Sequence, residues 1–150
     1  MIEIIRTDSE NKDFIELVRH LDAELAVRDG DDHAFYAQFN KIAKLKHVVL
    51  AYEDDKALGC GALRELKSGN MEVKRMFVPL ENRGKGIATK VLLELEDWAR
   101  EMSFTRCVLE TGFKQPEAIH LYEKNGYERI PNYGQYADVG NSVCFGKNIV

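Results

Sequence analysis

Apolar runs separated by polar turns predict a series of strands along the chain. The predicted strands cover Ile2–Ile5, His47–Glu53, Ala57–Leu63, Met71–Val78, Cys107–Thr111, Tyr127–Ile130 and Ser142–Phe145. The polar triplet from Asp54 to Lys56 lies between the second and third runs and indicates a hairpin. Several strands therefore follow one another early in the chain, whereas later strands alternate with helices.

Helical spacing of apolar residues predicts the remaining elements. Asp8 or Ser9 is the predicted cap of a first helix, whose apolar positions are Phe14, Leu17, Val18, Leu21 and Leu25. A second helix is expected over roughly Asp32–Leu45. The strongest helical pattern places Ile87, Val91, Leu95, Trp98 and Met102 at steps of 4, 4, 3 and 4. Pro116 suits the first turn of a last helix, and Asn125-Gly126 suits its left-handed stop. The pattern predicts an α/β fold with a mixed sheet and helices on both faces.

Length, charge and cysteine usage limit the class of protein. The 150 residues suit one domain over 1–150. A net charge of −4 disfavours a general nucleic-acid or anionic-membrane binder. Cys60, Cys107 and Cys144 form no CxxC pair, and the histidines lack metal-ligand spacing, so neither a disulfide framework nor a metal is expected. Without a leader or membrane-span pattern, a cytoplasmic location is expected.

A glycine-containing turn between a strand and a helix is a candidate phosphate site. Gly84 and Gly86 lack the Cβ atoms that would keep phosphate from the backbone, and Arg83 and Lys85 add positive charge. Residues 72 to 90 carry five basic and two acidic side chains, a local net charge of +3. The P-loop is excluded because Ile87 follows Gly86, and the dinucleotide fingerprint is disfavoured by Thr89.

Four segments in order resemble the GNAT superfamily of N-acetyltransferases. Met71–Val78 resembles its fourth strand, Arg83–Ala88 its pyrophosphate loop, Leu109–Thr111 its fifth strand, and Ala118–Tyr127 the following helix and strand. The detailed resemblance covers about residues 71 to 130. Two positions depart from the family pattern: Glu81 replaces a usual Gln or Arg, and Gln115 replaces a frequent Asn. The resemblance implies a single-domain fold with a mixed, mostly antiparallel sheet.

The resemblance also implies acetyl-coenzyme A as co-substrate, with its pantetheine arm between splayed fourth and fifth strands. Peptide groups of Met76, Phe77 and Val78 would bind the arm, and the Val78 N–H would face the thioester oxygen. The pyrophosphate would lie against Arg83, Gly84, Lys85, Gly86, Ile87, Ala88 and Thr89. Gln115 and Tyr122 would approach from the other side.

By the same resemblance, the acetyl group passes directly to a primary amine in a ternary complex. Glu110 is the expected general base, with Glu72 or a water chain as open alternatives, and Tyr122 the donor to the leaving thiolate. A Cys107–His120 nucleophilic pair is a further, less favoured hypothesis. A non-catalytic acyl-CoA sensor is the alternative to an enzyme.

The acceptor is expected to be a small-molecule or peptide amine, bound by early helices and late loops. Five acidic residues between Asp22 and Asp32 suggest either a solvated surface or attraction of a cationic amine. Tyr133 and Tyr136 are candidates for shaping the acceptor pocket. The resemblance also leaves a homodimer possible.

Overall fold

The computed structural model describes residues 1–29 and 44–150. Its strands are β1 (Glu3–Thr7), β2 (His47–Glu53), β3 (Lys56–Glu65), β4 (Met71–Phe77), β5 (Arg106–Gly112), β6 (Glu128–Ile130) and β7 (Ser142–Asn148). Its α-helices are α1 (Lys12–Asp29), α2 (Ile87–Glu101) and α3 (Pro116–Lys124). Every predicted strand is present: both ends of β2 agree with the prediction, and no end of another strand differs by more than three residues. The predicted helix over Asp32–Leu45 lies almost wholly outside the described residues, and its last two positions, Lys44 and Leu45, are not helical.

The strands form one sheet in the order β1-β2-β3-β4-β5-β7-β6. All neighbouring pairs are antiparallel except β4 and β5, which run parallel. Only two residue pairs are in register between β4 and β5, Met71 with Cys107 and Glu72 with Val108. Beyond these pairs the two strands separate, so the sheet opens at its centre.

The hairpin between β2 and β3 forms as predicted. Asp54 and Asp55 both have positive φ, 51° and 64°, which is the backbone of a two-residue type I′ turn. Aspartate tolerates this conformation because its short side chain can bond to nearby backbone.

The predicted cap of α1 is wrong by two to three residues. The Asn11 side chain accepts hydrogen bonds from the backbone N–H groups of Asp13 (2.9 Å) and Phe14 (3.2 Å), so Asn11 caps the helix. Asp8 instead stabilises the preceding turn by accepting from the Glu10 N–H. The Ser9 hydroxyl accepts from the Leu45 N–H at 3.0 Å and joins two distant segments.

Helices pack on both faces of the sheet, as the apolar pattern predicts. On one face α1 buries Phe14, Leu17 and Val18 against β2, β3 and β4. On the other face α2 lies across the middle of the sheet, and α3 joins the same core through Tyr122. None of the helices within residues 1–29 and 44–150 is both long and apolar enough to cross a bilayer.

A buried charged network joins α2 to the end of the sheet. The Glu96 side chain is fully buried and accepts hydrogen bonds from the Tyr127 hydroxyl (3.0 Å) and the Lys147 ammonium (2.8 Å). Arg100 lies 3.7 Å from the same carboxylate. Since a buried carboxylate must be paired, these partners allow Glu96 to occupy an apolar helix face.

Gly61 lets α2 approach β3 closely, and Gly61→Ala is expected to destabilise the fold. A Cβ at this position would lie 2.5 Å from the Met76 Sδ and under 3.0 Å from side-chain carbons of Leu95 and Val91. Overpacking of this kind costs about 1–3 kcal/mol. Urea unfolding measures the change, with Gly140→Ala as control because no atom lies within 4 Å of its added Cβ. An unchanged midpoint in Gly61→Ala would show that the contact relaxes freely.

Candidate functional site

A bulge in β4 shapes the opening at the centre of the sheet. The register of β3 with β4 passes from Ala62–Lys74 to Cys60–Phe77, so Arg75 and Met76 together face Gly61. Arg75 has a φ of 57°, a conformation that non-glycine residues rarely adopt. Bulges bend a strand and re-aim its side chains, and this one lies where β4 leaves β5.

The opening contains two adjoining cavities, a larger one of about 380 Å³ and a smaller one of about 100 Å³. They adjoin because they share lining residues, namely Leu21, Leu25, Met76, Gln115, Ala118 and Tyr122. The C-terminal half of α1 and the α3 helix therefore both line one continuous cleft.

The larger cavity ends at the loop that the sequence marks as a phosphate site. Gly84 and Gly86 have φ values of 82° and 76°, and no atom lies within 4 Å of a Cβ built on either. Gly86 is the N-terminal cap of α2, whose first residues Ile87, Ala88 and Thr89 also line the cavity. Their backbone N–H groups have no intrahelical partner and carry the positive end of the helix dipole. Lys85, predicted to join this site, is exposed and does not line the cavity.

The other predicted residues of the larger site line the cavity together. Met76, Phe77 and Val78 form one wall, and Gln115 and Tyr122 lie on the other. Arg83 is present too, but its guanidinium is engaged by protein groups: Nε donates to the Val78 carbonyl at 2.8 Å, and Nη2 contacts both carboxylate oxygens of Glu24 at 2.9 and 3.0 Å.

Two arginine–carboxylate pairs join α1 to this side of the sheet. Besides the Arg83–Glu24 pair, the nearly buried Arg75 donates to Asp22 Oδ1 at 2.8 Å. Asp22 and Glu24 belong to the acidic segment considered as an attractor of cationic amines. Both are engaged with arginines, and Asp31 and Asp32 of the segment lie outside the described residues.

The smaller cavity brings together both predicted candidate bases. Glu72 and Glu110 line it, with Tyr122 and Tyr136. Glu72 is only 2% exposed, and its Oε2 accepts a hydrogen bond from the Tyr133 hydroxyl at 2.6 Å. The sequence makes Tyr133 a candidate for shaping the acceptor pocket. It does not predict the hydrogen bond of Tyr133 to Glu72, which is 61 residues away in sequence. The Tyr133 and Tyr136 rings pack edge to face with centroids 5.9 Å apart.

Tyr122 lies where the two cavities meet. Its side chain is 6% exposed and its ring packs edge to face on Tyr127 at 5.7 Å. Burial raises the pKa of the Tyr122 phenol, and the negative charge of Glu110 raises it further. The hydroxyl is therefore protonated throughout the neutral range and can act as a proton donor.

The cysteines are buried and lie outside the cleft. Burial raises the pKa of the Cys60 and Cys107 thiols to about 12 and that of Cys144 to about 11. His120 lines the larger cavity whereas Cys107 does not, so the structure gives no support to a Cys107–His120 pair. Among the described residues, no cluster of His, Cys, Asp or Glu has the makings of a metal site.

The sequence model of the "Acetyltransferase (GNAT) family" matches residues 13–127. A protein of Azospirillum brasilense named "IAA acetyltransferase" is 32% identical over 130 residues, which cover 81% of each chain. The chain therefore belongs to the GNAT acetyltransferase family, and the prediction of an acetyl-CoA-dependent acetyltransferase is confirmed at family level.

Solved structures share the fold over the whole chain. An acyl-CoA N-acyltransferase from Klebsiella pneumoniae superposes with a TM-score of 0.83 and 27% identity, covering 100% of this chain and 99% of that one. A GNAT acetyltransferase from Elizabethkingia anophelis, solved with acetyl-CoA bound, has a TM-score of 0.68 and 16% identity, with 98% and 97% covered. The predicted fold class, a mixed and mostly antiparallel sheet with helices on both faces, is confirmed.

Proposed function

We propose that this protein transfers the acetyl group of acetyl-CoA to a primary amine by direct attack in a ternary complex. The observation that carries the proposal is the placement of Tyr122 at the junction of two adjoining cavities. One cavity ends at an anion-binding loop, and the other contains two carboxylates. The family match does not favour a non-catalytic acyl-CoA sensor.

The larger cavity suits coenzyme A in both shape and donors. The open space above Gly84 and Gly86 and the N-terminal N–H groups of α2 suit a pyrophosphate. Because β4 and β5 separate, Met76, Phe77 and Val78 line the cavity, and the pantetheine arm would bind their peptide groups on the side that faces β5. The Val78 carbonyl already accepts a hydrogen bond from Arg83. When bound, acetyl-CoA supplies the activated acetyl thioester. Acetyl-CoA in the Elizabethkingia relative supports this assignment.

Glu110 is the base in this proposal and Glu72 is a fixed wall of the acceptor site. An amine must give up its proton before it can attack, so a carboxylate or a bridging water must accept it. Both carboxylates line the smaller cavity, and the Tyr133 hydroxyl fixes one oxygen of Glu72. Tyr122 donates the proton that the departing thiolate requires, since its raised pKa keeps the phenol protonated.

Titration with acetyl-CoA tests the first requirement of the proposal, and Gly86→Val is expected to weaken binding by about 10- to 100-fold. The valine would fill the open space where the pyrophosphate approaches the backbone. Isothermal calorimetry of wild type and variant gives the two dissociation constants.

Gly69→Val is the matched control for this titration. Gly69 has a φ of 87° and equally open surroundings, but lies in the turn between β3 and β4, away from the cleft. The control carries the same backbone strain and should bind acetyl-CoA like wild type. Equal affinity in the Gly86 and Gly69 variants would contradict the loop assignment.

A further inference from the structure

Lys74 is a largely shielded cation that lines the smaller cavity and has one ion-pair partner among the described residues, Glu72. Its side chain is 10% exposed. Within the described part of the chain its ammonium makes no hydrogen bond, and its nearest carboxylate oxygen, Glu72 Oε1, lies 3.6 Å away. An ammonium carries three N–H donors, and burying a charge without hydrogen bonds is costly. An acceptor from outside the described residues is therefore expected beside Lys74.

Glu72 is held in a position from which its carboxylate accepts no hydrogen bond from the Lys74 ammonium. The Tyr133 hydroxyl fixes Glu72 Oε2 at 2.6 Å, and Oε1 is buried and accepts no hydrogen bond from the described residues. Lys74 and Glu72 therefore attract each other electrostatically but form no direct hydrogen bond. The second cation of this cavity, Arg75, is already bonded to Asp22 at 2.8 Å.

Lys74 and Glu110 line the same cavity from β4 and β5, two residues beyond the last registered pair of these strands. Glu72 is paired with Val108 across the parallel strands, and Lys74 and Glu110 each follow two residues later on the same face. The strands have separated at that point, and both side chains line the cavity between them. A cation on β4 and a carboxylate on β5 thus line one cavity of about 100 Å³.

We propose that Lys74 binds a carboxylate of the acceptor, and that the acceptor is a small amino acid whose amine and carboxylate are close together. Lys74 receives the carboxylate, and the amine is directed toward Glu110 and the junction at Tyr122. A plain alkylamine lacks the group that Lys74 requires, and so does a lysine side chain within a protein. This inference rests on the proposed acetyl transfer and names its substrate class.

The test compares matched substrates that differ only in the carboxylate. The pairs are alanine with ethylamine, leucine with isopentylamine, and phenylalanine with phenethylamine. Release of coenzyme A gives kcat and KM for wild type and for Lys74→Met, which keeps the length of the side chain but removes its charge. The two substrates of a pair differ in amine basicity, but wild type and variant are tested with the same substrates. Comparing the effect of Lys74→Met on the two substrates therefore removes the contribution of basicity.

Lys74→Met is expected to lower kcat/KM for the preferred amino acid by about 10- to 100-fold, mainly through KM. Its kcat/KM for the matched amine should fall much less, because that substrate makes no bond to Lys74 and is affected only by the lost charge. Lys74→Arg should restore part of the preference. Lys67→Met, in the exposed turn between β3 and β4, is the control and should behave like wild type.

Equal losses for both members of a pair would show that Lys74 acts only through the structure and would overturn the proposal. Faster turnover of the amines than of the amino acids by wild type would overturn it as well. Calorimetric titration of the coenzyme A complex with the amino acid distinguishes failure of the acetyl-transfer proposal from failure of the carboxylate site. Amino-acid binding that Lys74→Met abolishes, without turnover, would refute the acetyl transfer but support the carboxylate site.

Discussion

Tyr122→Phe should lower kcat by about 100- to 10,000-fold while leaving the affinity for acetyl-CoA within about 2-fold of wild type. The substitution removes only the hydroxyl, and the ring continues to pack on Tyr127 at the junction of the cavities. Without that hydroxyl the departing thiolate must take its proton from water. Steady-state kinetics and a calorimetric titration with acetyl-CoA measure the two quantities separately.

Tyr52→Phe is the control for this experiment. It also removes a phenolic hydroxyl with a hydrogen-bond partner, Asp13, but Tyr52 does not line either cavity. The control should retain wild-type kcat.

In the wild-type enzyme, deprotonation of Tyr122 should cause no loss of kcat up to at least pH 10, the ordinary tyrosine pKa, because the pKa of Tyr122 is raised. Unchanged kcat in Tyr122→Phe would leave Tyr122 with a packing role alone.

Glu110→Gln is expected to reduce kcat/KM by about 100- to 10,000-fold. It should also abolish the fall of kcat/KM at low pH that protonation of the general base causes. Glutamine keeps the size and one oxygen of the side chain but is a poor proton acceptor at neutral pH. The measurement is a pH profile of kcat/KM with one amine, for wild type and variant.

Glu72→Gln separates the two candidate bases. Its amide oxygen can still accept the Tyr133 hydrogen bond, so the variant keeps the wall of the site but loses the negative charge. If Glu110 is the base, Glu72→Gln retains the acidic limb and loses less activity. The reverse ranking would assign the base to Glu72, and equal small losses would favour a water chain.

Local features of this fold could be predicted because local sequence determines them. The Asp54-Asp55 turn, the apolar stripe of α2 and Pro116 at the start of α3 all act over a few residues. The prediction of the α1 cap was wrong because Asp8, Ser9 and Asn11 are all good capping residues. Asp8 accepts from the nearby Glu10 N–H instead, and Ser9 accepts from the Leu45 N–H, 36 residues away, a contact that local spacing does not reveal.

Contacts between distant segments account for what the sequence did not reveal in the site. The alternation in Met71–Val78 predicts a strand, but nothing in it marks the bulge that gives Arg75 its positive φ. Tyr133 reaches Glu72 and Arg83 reaches Glu24 across 61 and 59 residues, respectively. Such pairs depend on how α1 and the β6–β7 loop cover the sheet. The motif-based resemblance identified the cleft residues, but not which of them already have partners.

Burial of the three cysteines has a practical consequence for assays. A thiol reacts with disulfide reagents through its thiolate, and pKa values of about 11 to 12 leave almost no thiolate at neutral pH. Each side chain is also wholly shielded from solvent. A chromogenic disulfide can therefore follow release of the coenzyme A thiol continuously with little background from the folded protein. A sudden rise in that background would report unfolding of a variant in the same cuvette.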